Sequence, residues 1–175
     1  MDFEDRPFST LDEMHDGIIK AWNSVVKKTD TVYHLGDFSF GKASEWIDIL
    51  DQLKGNIILI KGNHDKSKII KKVINEGFLQ EYYEVGTIIK ADKYIFNLSH
   101  YPMMIGVRMN NFSVHGHIHE YDTGFLNNLN IGVDSTFARS LGLPFGAPIE
   151  LSEIVKYFTN IAPQIEEEFE KQRGI

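Results

Sequence analysis

The stretch Asn56-Ile57-Ile58-Leu59-Ile60-Lys61-Gly62-Asn63-His64-Asp65 constrains this chain most. Its first half is a branched apolar run of the length of a buried strand. Its second half drops at once into Gly-Asn-His-Asp. A strand that ends this way sets three polar side chains at the carboxyl edge of a sheet, where open α/β folds place their ligand sites. Asn63 offers an amide oxygen, His64 an imidazole and Asp65 a carboxylate, and a metal or a phosphoryl group can use all three. Gly, Asn and Asp are also common turn formers. The tetrapeptide alone leaves both readings open.

The preceding segment narrows the choice. Thr31-Val32-Tyr33-His34-Leu35 is β-branched and aromatic, a strand that ends in Gly36-Asp37. Residues 43–53 read as a helix with Trp46, Ile47, Leu50 and Leu53 on one face, and Gly55 as its C-cap. Residues 31–61 are thus strand, helix, strand, the span of one βαβ unit with a right-handed crossover. The two strands are then parallel, and Asp37 and Asn63-His64-Asp65 face one crevice.

Upstream, Arg6-Pro7-Phe8 leads into a helix that opens with a Thr10/Glu13 capping box and stops near Lys27-Lys28. Downstream, a short helix is expected near residues 68–74. Residues 81–90 and 94–98 alternate and read as a hairpin across Ala91-Asp92-Lys93. The second of these strands runs into Ser99-His100-Tyr101-Pro102, and Pro102 biases Tyr101 away from helix. Residues 112–114 form a strand ending in His115-Gly116-His117-Ile118-His119. A last strand spans residues 129–133 and stops before Asp134. Residues 151–158 look helical, and Pro163 is expected to open a second, acidic helix or tail over 163–175.

Four strand ends therefore carry polar side chains: Asp37, Asn63 with His64, His100, and His117 with His119. Oxygen and imidazole donors without thiols suit Mn²⁺, iron, Zn²⁺ or Ni²⁺ better than an iron–sulfur cluster. Each residue has an ordinary alternative. His100 can be a hydrogen-bonded loop histidine, the 115–119 segment a solvated turn, and Asp37 a cap. Their coincidence on strand ends favours a site over four separate accidents.

Bulk properties set limits. The 175 residues carry a formal charge of −7, which argues against a protein that tracks a long polyanion. A small phosphate ester held through metal ions remains compatible, because the ions supply local positive charge. The 42% hydrophobic content supports a folded core, and the absence of cysteine removes disulfides and thiolate sites. The acidic N-terminus has no apolar signal region, and no apolar run approaches a membrane span. The expectation is a soluble, cytoplasmic protein of one domain, residues 1–175.

Gly36-Asp37, Gly62-Asn63-His64-Asp65, His100 and Gly116-His117-Ile118-His119 resemble, in order, the later motifs of the calcineurin-like metallophosphoesterases. The resemblance is closer to small phage- and bacteria-associated members, which also show Arg-Pro-Phe (Arg6 to Phe8), Ser-His-Tyr-Pro-Met (Ser99 to Met103) and Asn-Ile-Gly-Val-Asp (Asn130 to Asp134). It covers residues 6–154. It implies an α/β fold, a β-sandwich of two mixed sheets flanked by helices in four layers. It also implies that Asp37 bridges two divalent metal ions, foremost Mn²⁺, with Fe, Zn or Ni as other fits. Asn63, His100 and His117 then complete one shell, and His119 ligates the other ion. His64 sits beside the scissile phosphate with Asp65 orienting its ring, while His115 is structural.

The implied activity is hydrolysis of a phosphomonoester, a phosphodiester or a nucleotide by a metal-bound hydroxide. In such sites two ions roughly 3.5–4 Å apart clamp the phosphoryl oxygens. His64 can protonate the leaving alkoxide or hydrogen-bond the phosphate. Tyr101, Phe125 and Phe145 are candidates for a base pocket or for core. Lys66, Lys68, Lys71 and Lys72 form a small basic face that can steer an anion or simply be solvated.

One departure counts against full activity. The family's first strand ends in Asp-x-His, and this chain contains no such triplet. Asp2 and Asp5 lack the strand and spacing to replace it. The expectation is that this strand belongs upstream of Met1 and that the second metal site is incomplete in the chain as it stands. The alternative is a non-catalytic remnant that binds one metal ion or a phosphate ligand.

Overall fold

The computed structural model describes residues 6–174. Asp2 and Asp5 lie outside them. Twelve elements follow in order: α1 (Leu11–Val25), β1 (Thr31–His34), α2 (Ala43–Leu50), β2 (Asn56–Ile60), α3 (Ser67–Asn75), β3 (Glu81–Tyr83), β4 (Gly86–Ala91), β5 (Tyr94–Ser99), β6 (Asn111–His115), β7 (Asn128–Asn130), α4 (Thr136–Ser140) and α5 (Leu151–Arg173). Two sheets form, ordered β1-β2-β3 and β4-β5-β6-β7. The first is parallel throughout, and the second joins an antiparallel β4/β5 pair to parallel β5/β6 and β6/β7 pairs. Two sheets flanked by helices are the architecture expected from the sequence.

Period-two alternation explains why the first sheet is buried on both faces. Ile57 and Leu59 of β2, with Val32 and Tyr82, meet Trp22 and Val26 from the α1 segment, Trp46 and Leu50 of α2, and Ile70 and Val73 of α3. Ile60, Tyr33 and Tyr83 point the other way. They join Phe96, Leu98, Phe112 and Val114 of the second sheet and Ile154, Phe158 and Ile165 of α5. Phe158 stacks on Phe112 at 3.8 Å between centroids, anchoring α5 to that sheet. Thr10, the N-cap, accepts the Glu13 N–H at the start of α1, but Glu13 accepts the N–H of Ser9 rather than of Thr10, so only one half of the expected capping box forms.

Three boundaries differ from expectation. Residues 81–90 are two strands, not one: β3 pairs with β2 in one sheet and β4 with β5 in the other, and the chain changes sheets at Glu84-Val85. The expected strand over 129–133 is only β7, because the Asn130 side chain accepts the Gly132 N–H at 2.9 Å and turns the chain. Pro163 lies inside one continuous α5 and opens no second helix. A proline there removes one intrahelical bond, a loss that packing of Phe158 and Ile165 on either side of it offsets. The C-terminal residues through Arg173 are helix, closed by Gly174 in the left-handed region. Among the described residues no helix is long and apolar enough to cross a membrane.

Candidate metal centre

The parallel register of β1 against β2 brings their carboxyl ends side by side, His34 opposite Leu59. The loops that follow are then tied together by one carboxylate. Asp65, 3% exposed, accepts the backbone N–H groups of Asp37 (2.8 Å), Phe38 (2.9 Å) and Gly62 (2.9 Å). Asp37 answers by accepting the His64 N–H at 2.8 Å. The two loops approach so closely that only glycine fits at their contact. A Cβ on Gly36 (φ +94°) would lie 2.6 Å from the Gly62 nitrogen, and one on Gly62 would collide with Asp37.

This crossing sets Asp37 and Asn63 against the ends of the second sheet. His100, 2% exposed, follows β5. Its Nδ1 lies 2.7 Å from the Leu35 carbonyl oxygen, which can only accept, so Nδ1 carries the proton. The other ring nitrogen, Nε2, is then a lone pair in the neutral ring. It lies 2.9 Å from Asn63 Oδ1, 3.0 Å from His117 Nδ1 and 3.4 Å from Asp37 Oδ2. The ligand atoms of Asp37, His100 and His117 all lie within 4.8 Å of one another.

Four potential ligand atoms thus lie close together, with Asp37 Oδ2, Asn63 Oδ1 and His117 Nδ1 each near His100 Nε2. Asp37, His100 and His117 form a cluster that could hold a metal ion. Two carbonyl-type or carboxylate oxygens and two imidazoles fit manganese, iron, zinc or nickel. Burial lowers the pKa of His117, and the neighbouring His100 lowers it further, against the opposing pull of Asp37. The net lowering favours the neutral ring, the form that can coordinate.

Backbone strain collects at the same residues. Among the described residues, four non-glycine residues have positive φ: Asp37 (55°), Asp92 (52°), His117 (65°) and His119 (53°). Asp92 is a hairpin turn. The other three are candidate ligands held in a conformation that L-residues rarely adopt, a pattern associated with functional sites.

Not every sequence candidate joins the cluster. His119 lies apart, exposed, with Nδ1 3.7 Å from Asp134 Oδ2. Asn130 positions its loop by donating to the His119 carbonyl at 2.8 Å. His64 is exposed beside the cluster, its ring 4.6 Å from that of Phe40. The expected orienting bond from Asp65 to the His64 ring is not seen. Among the described residues no hydrogen bond joins the two side chains, and the Asp65 oxygens are instead committed to backbone amides. His115 is fully buried, donates from Nδ1 to the Gly116 carbonyl at 2.9 Å, and has a depressed pKa caused first by burial. Of the aromatic candidates, Tyr101 sits at the cluster, edge-on to His117 at 4.4 Å. Phe145 packs against Phe8, and Phe125 lines a separate cavity with Met104 and Val107.

Three contributors have no role that sequence reasoning assigns. Arg6 forms a two-pronged ion pair with buried Asp134, at 3.2 and 2.7 Å. His34 accepts the Gly36 N–H at 3.2 Å, and burial lowers its pKa against the pull of Asp65 and Asp37. Phe40 covers His64. Asp134 could have been found as a fifth polar residue after a strand. The others carry no local signal.

Comparison with known proteins identifies the family of the chain. The model of the calcineurin-like phosphoesterase superfamily domain matches residues 13–129, more than half of the chain. An uncharacterized protein of Methanocaldococcus jannaschii is 36% identical over 117 residues, covering 65% of this chain and 58% of its own length. The Gene 66 protein of Mycobacterium phage L5 is 47% identical over 57 residues, 30% of this chain and 28% of the phage protein. The chain therefore spans 58% or less of these relatives. A crystal structure of a protein of unknown function from Aquifex aeolicus superposes with a TM-score of 0.64 at 26% identity, covering 86% of this chain and 88% of that one. On the family match and the cluster at its strand ends, this chain belongs to the calcineurin-like phosphoesterase superfamily.

Proposed function

We propose that the chain is a metal-dependent phosphoesterase whose metal is held by Asp37, Asn63, His100 and His117. The observation that carries this reading is the convergence of Asp37 Oδ2, Asn63 Oδ1 and His117 Nδ1 on His100 Nε2, with the His100 proton fixed on the far side by Leu35. A bound divalent cation would supply Lewis acidity toward a phosphoryl oxygen and would lower the pKa of water. Mn²⁺ is the first choice, with Fe, Zn and Ni as alternatives, and His119 is the candidate ligand of a second ion.

The chain's own residues then have separate tasks. Asp37 contributes negative charge that offsets the cation, and its position is fixed by the Asp65 carboxylate and the His64 amide. Asn63 coordinates without adding charge. His64 is exposed at the rim, where it can hydrogen-bond the phosphate and give a proton to the leaving oxygen. The substrate is a small phosphate ester or a nucleotide.

A second reading has its own support. Among the described residues, Asp37, His100 and His117 form the one group that could hold an ion, and His119 pairs with Asp134 instead. That suits a protein binding a single ion without turnover. One experiment separates the two: assay aryl phosphomonoester and phosphodiester hydrolysis with each metal added, and measure bound metal alongside. Hydrolysis that appears with metal and disappears in His64→Ala at unchanged metal content supports the enzyme. One bound ion per chain without hydrolysis supports the second reading.

A further inference from the structure

Two large exposed aromatic rings lie against histidines at this site. Phe40 is 77% exposed and lies 4.6 Å from the His64 ring. Tyr101 is 51% exposed and lies 4.4 Å from His117 and 5.0 Å from His100, edge-on to both. Exposed phenyl and phenol rings abutting three histidines contribute little to a core, and large exposed apolar surface beside a polar site marks binding.

Neither ring is exposed through loose anchoring. The Phe40 loop is fastened through the two residues before the ring. The Phe38 N–H donates to Asp65, the Phe38 ring packs on Trp46 at 4.8 Å, and the Trp46 indole N–H donates to the Ser39 carbonyl at 3.0 Å. With Phe38 and Ser39 held inward, Phe40 is turned out. Tyr101 is fixed likewise. Buried Ser99 donates its hydroxyl to the Tyr101 carbonyl at 2.7 Å, Pro102 follows, and the Met103 N–H donates to buried Ser113 at 3.0 Å. Both rings are presented to solvent by partly buried hydrogen bonds, which lowers the ordering cost of binding.

We infer that Phe40 and Tyr101 form a stacking subsite for a planar aromatic group attached to the phosphate. The substrate is then a nucleotide or an aryl phosphate rather than a sugar or alkyl phosphate. The cluster takes the phosphate and the rings take the flat group, whose faces match theirs. This rests on the phosphoesterase reading and names the class of leaving or retained group at that same site.

Equilibrium binding tests it with the metal-loaded chain. Four ligands are titrated calorimetrically: inorganic phosphate, ribose 5-phosphate, adenosine 5′-monophosphate and phenyl phosphate. The nucleotide should bind about ten-fold or more tightly than ribose 5-phosphate, the size of one base–aromatic stack. That ratio should fall toward one in Phe40→Ala and in Tyr101→Ala, and Phe40→Trp should restore it. Phenyl phosphate binding as well as the nucleotide assigns the subsite to aryl groups in general; weaker binding assigns it to nucleobases. Equal binding of nucleotide and ribose 5-phosphate, or a ratio unchanged in both alanine variants, overturns the subsite alone. Failure of all four ligands to bind removes the phosphoesterase reading and the subsite with it.

Discussion

Asp65→Asn tests what holds the centre together. The carboxylate accepts three backbone N–H bonds at 2.8, 2.9 and 2.9 Å and is almost fully buried. Oδ2 takes the Asp37 and Gly62 amides, and Oδ1 takes the Phe38 amide. Asparagine has one acceptor oxygen. Placed at Oδ2, it keeps two bonds but loses their charge assistance, at about 1 kcal/mol each. Its NH₂ then faces the Phe38 N–H and leaves it unsatisfied, at about 1–3 kcal/mol. The sum is about 3–5 kcal/mol, a large part of an ordinary domain's stability. Urea unfolding followed by Trp fluorescence reads it, since buried Trp46 touches Phe38. Bound metal should fall too, although Asp65 supplies none of the four ligand atoms, because Asp37 and Asn63 ride on the loops it ties. His64→Ala is the comparison: an exposed ring should change stability by no more than ~0.5 kcal/mol. If Asp65→Asn is as stable as His64→Ala and lowers only turnover, the carboxylate serves the His64 ring, and its role as the tie between the two loops is refuted.

Three further outcomes follow from the same structure. Burial lowers the pKa of His115 and of His34, so on acidification the unfolded chain takes up these protons first; stability present above about pH 6.5 is lost as pH falls below it. Urea midpoints should drop between about pH 7.5 and about pH 5.5, and drop less in His115→Gln. Gly36→Ala should cost at least ~2 kcal/mol and release metal, because a Cβ at φ +94° meets Gly62 backbone that cannot move away; elemental analysis beside urea unfolding checks both. Arg6→Ala leaves the Asp134 carboxylate buried without its guanidinium and should cost about 2–3 kcal/mol, below the fully buried case because Arg6 is partly exposed; a thermal melt reads the loss.

The parts of this molecule that are legible in its sequence are those written in side-chain pattern. The βαβ unit over residues 31–61 can be read from its apolar periodicity, and the parallel pairing it dictates puts Asp37 beside Asn63. The two later strand ends then supply His100 and His117. What cannot be read depends on partners. Residues 81–90 alternate without a break, and only pairing with β2 or with β5 divides them. Pro163 is a helix-opening signal locally, yet packing of α5 on the second sheet carries the helix through it. The partners of Asp65 are backbone amides, which no residue name reveals, so its tie between the loops is invisible in the letters. Likewise, nothing in the sequence marks Asp37, His117 and His119 as left-handed.

The central claim is that four named atoms hold one divalent cation. Crystals of the chain grown with Zn²⁺ and measured by anomalous scattering test it directly. The predicted result is a strong peak bonded to Asp37 Oδ2, Asn63 Oδ1, His100 Nε2 and His117 Nδ1 at about 2.0–2.2 Å, with His100 Nδ1 still donating to Leu35. Metal found only beside His119 and Asp134, with His100 Nε2 still against Asn63 Oδ1, would contradict it.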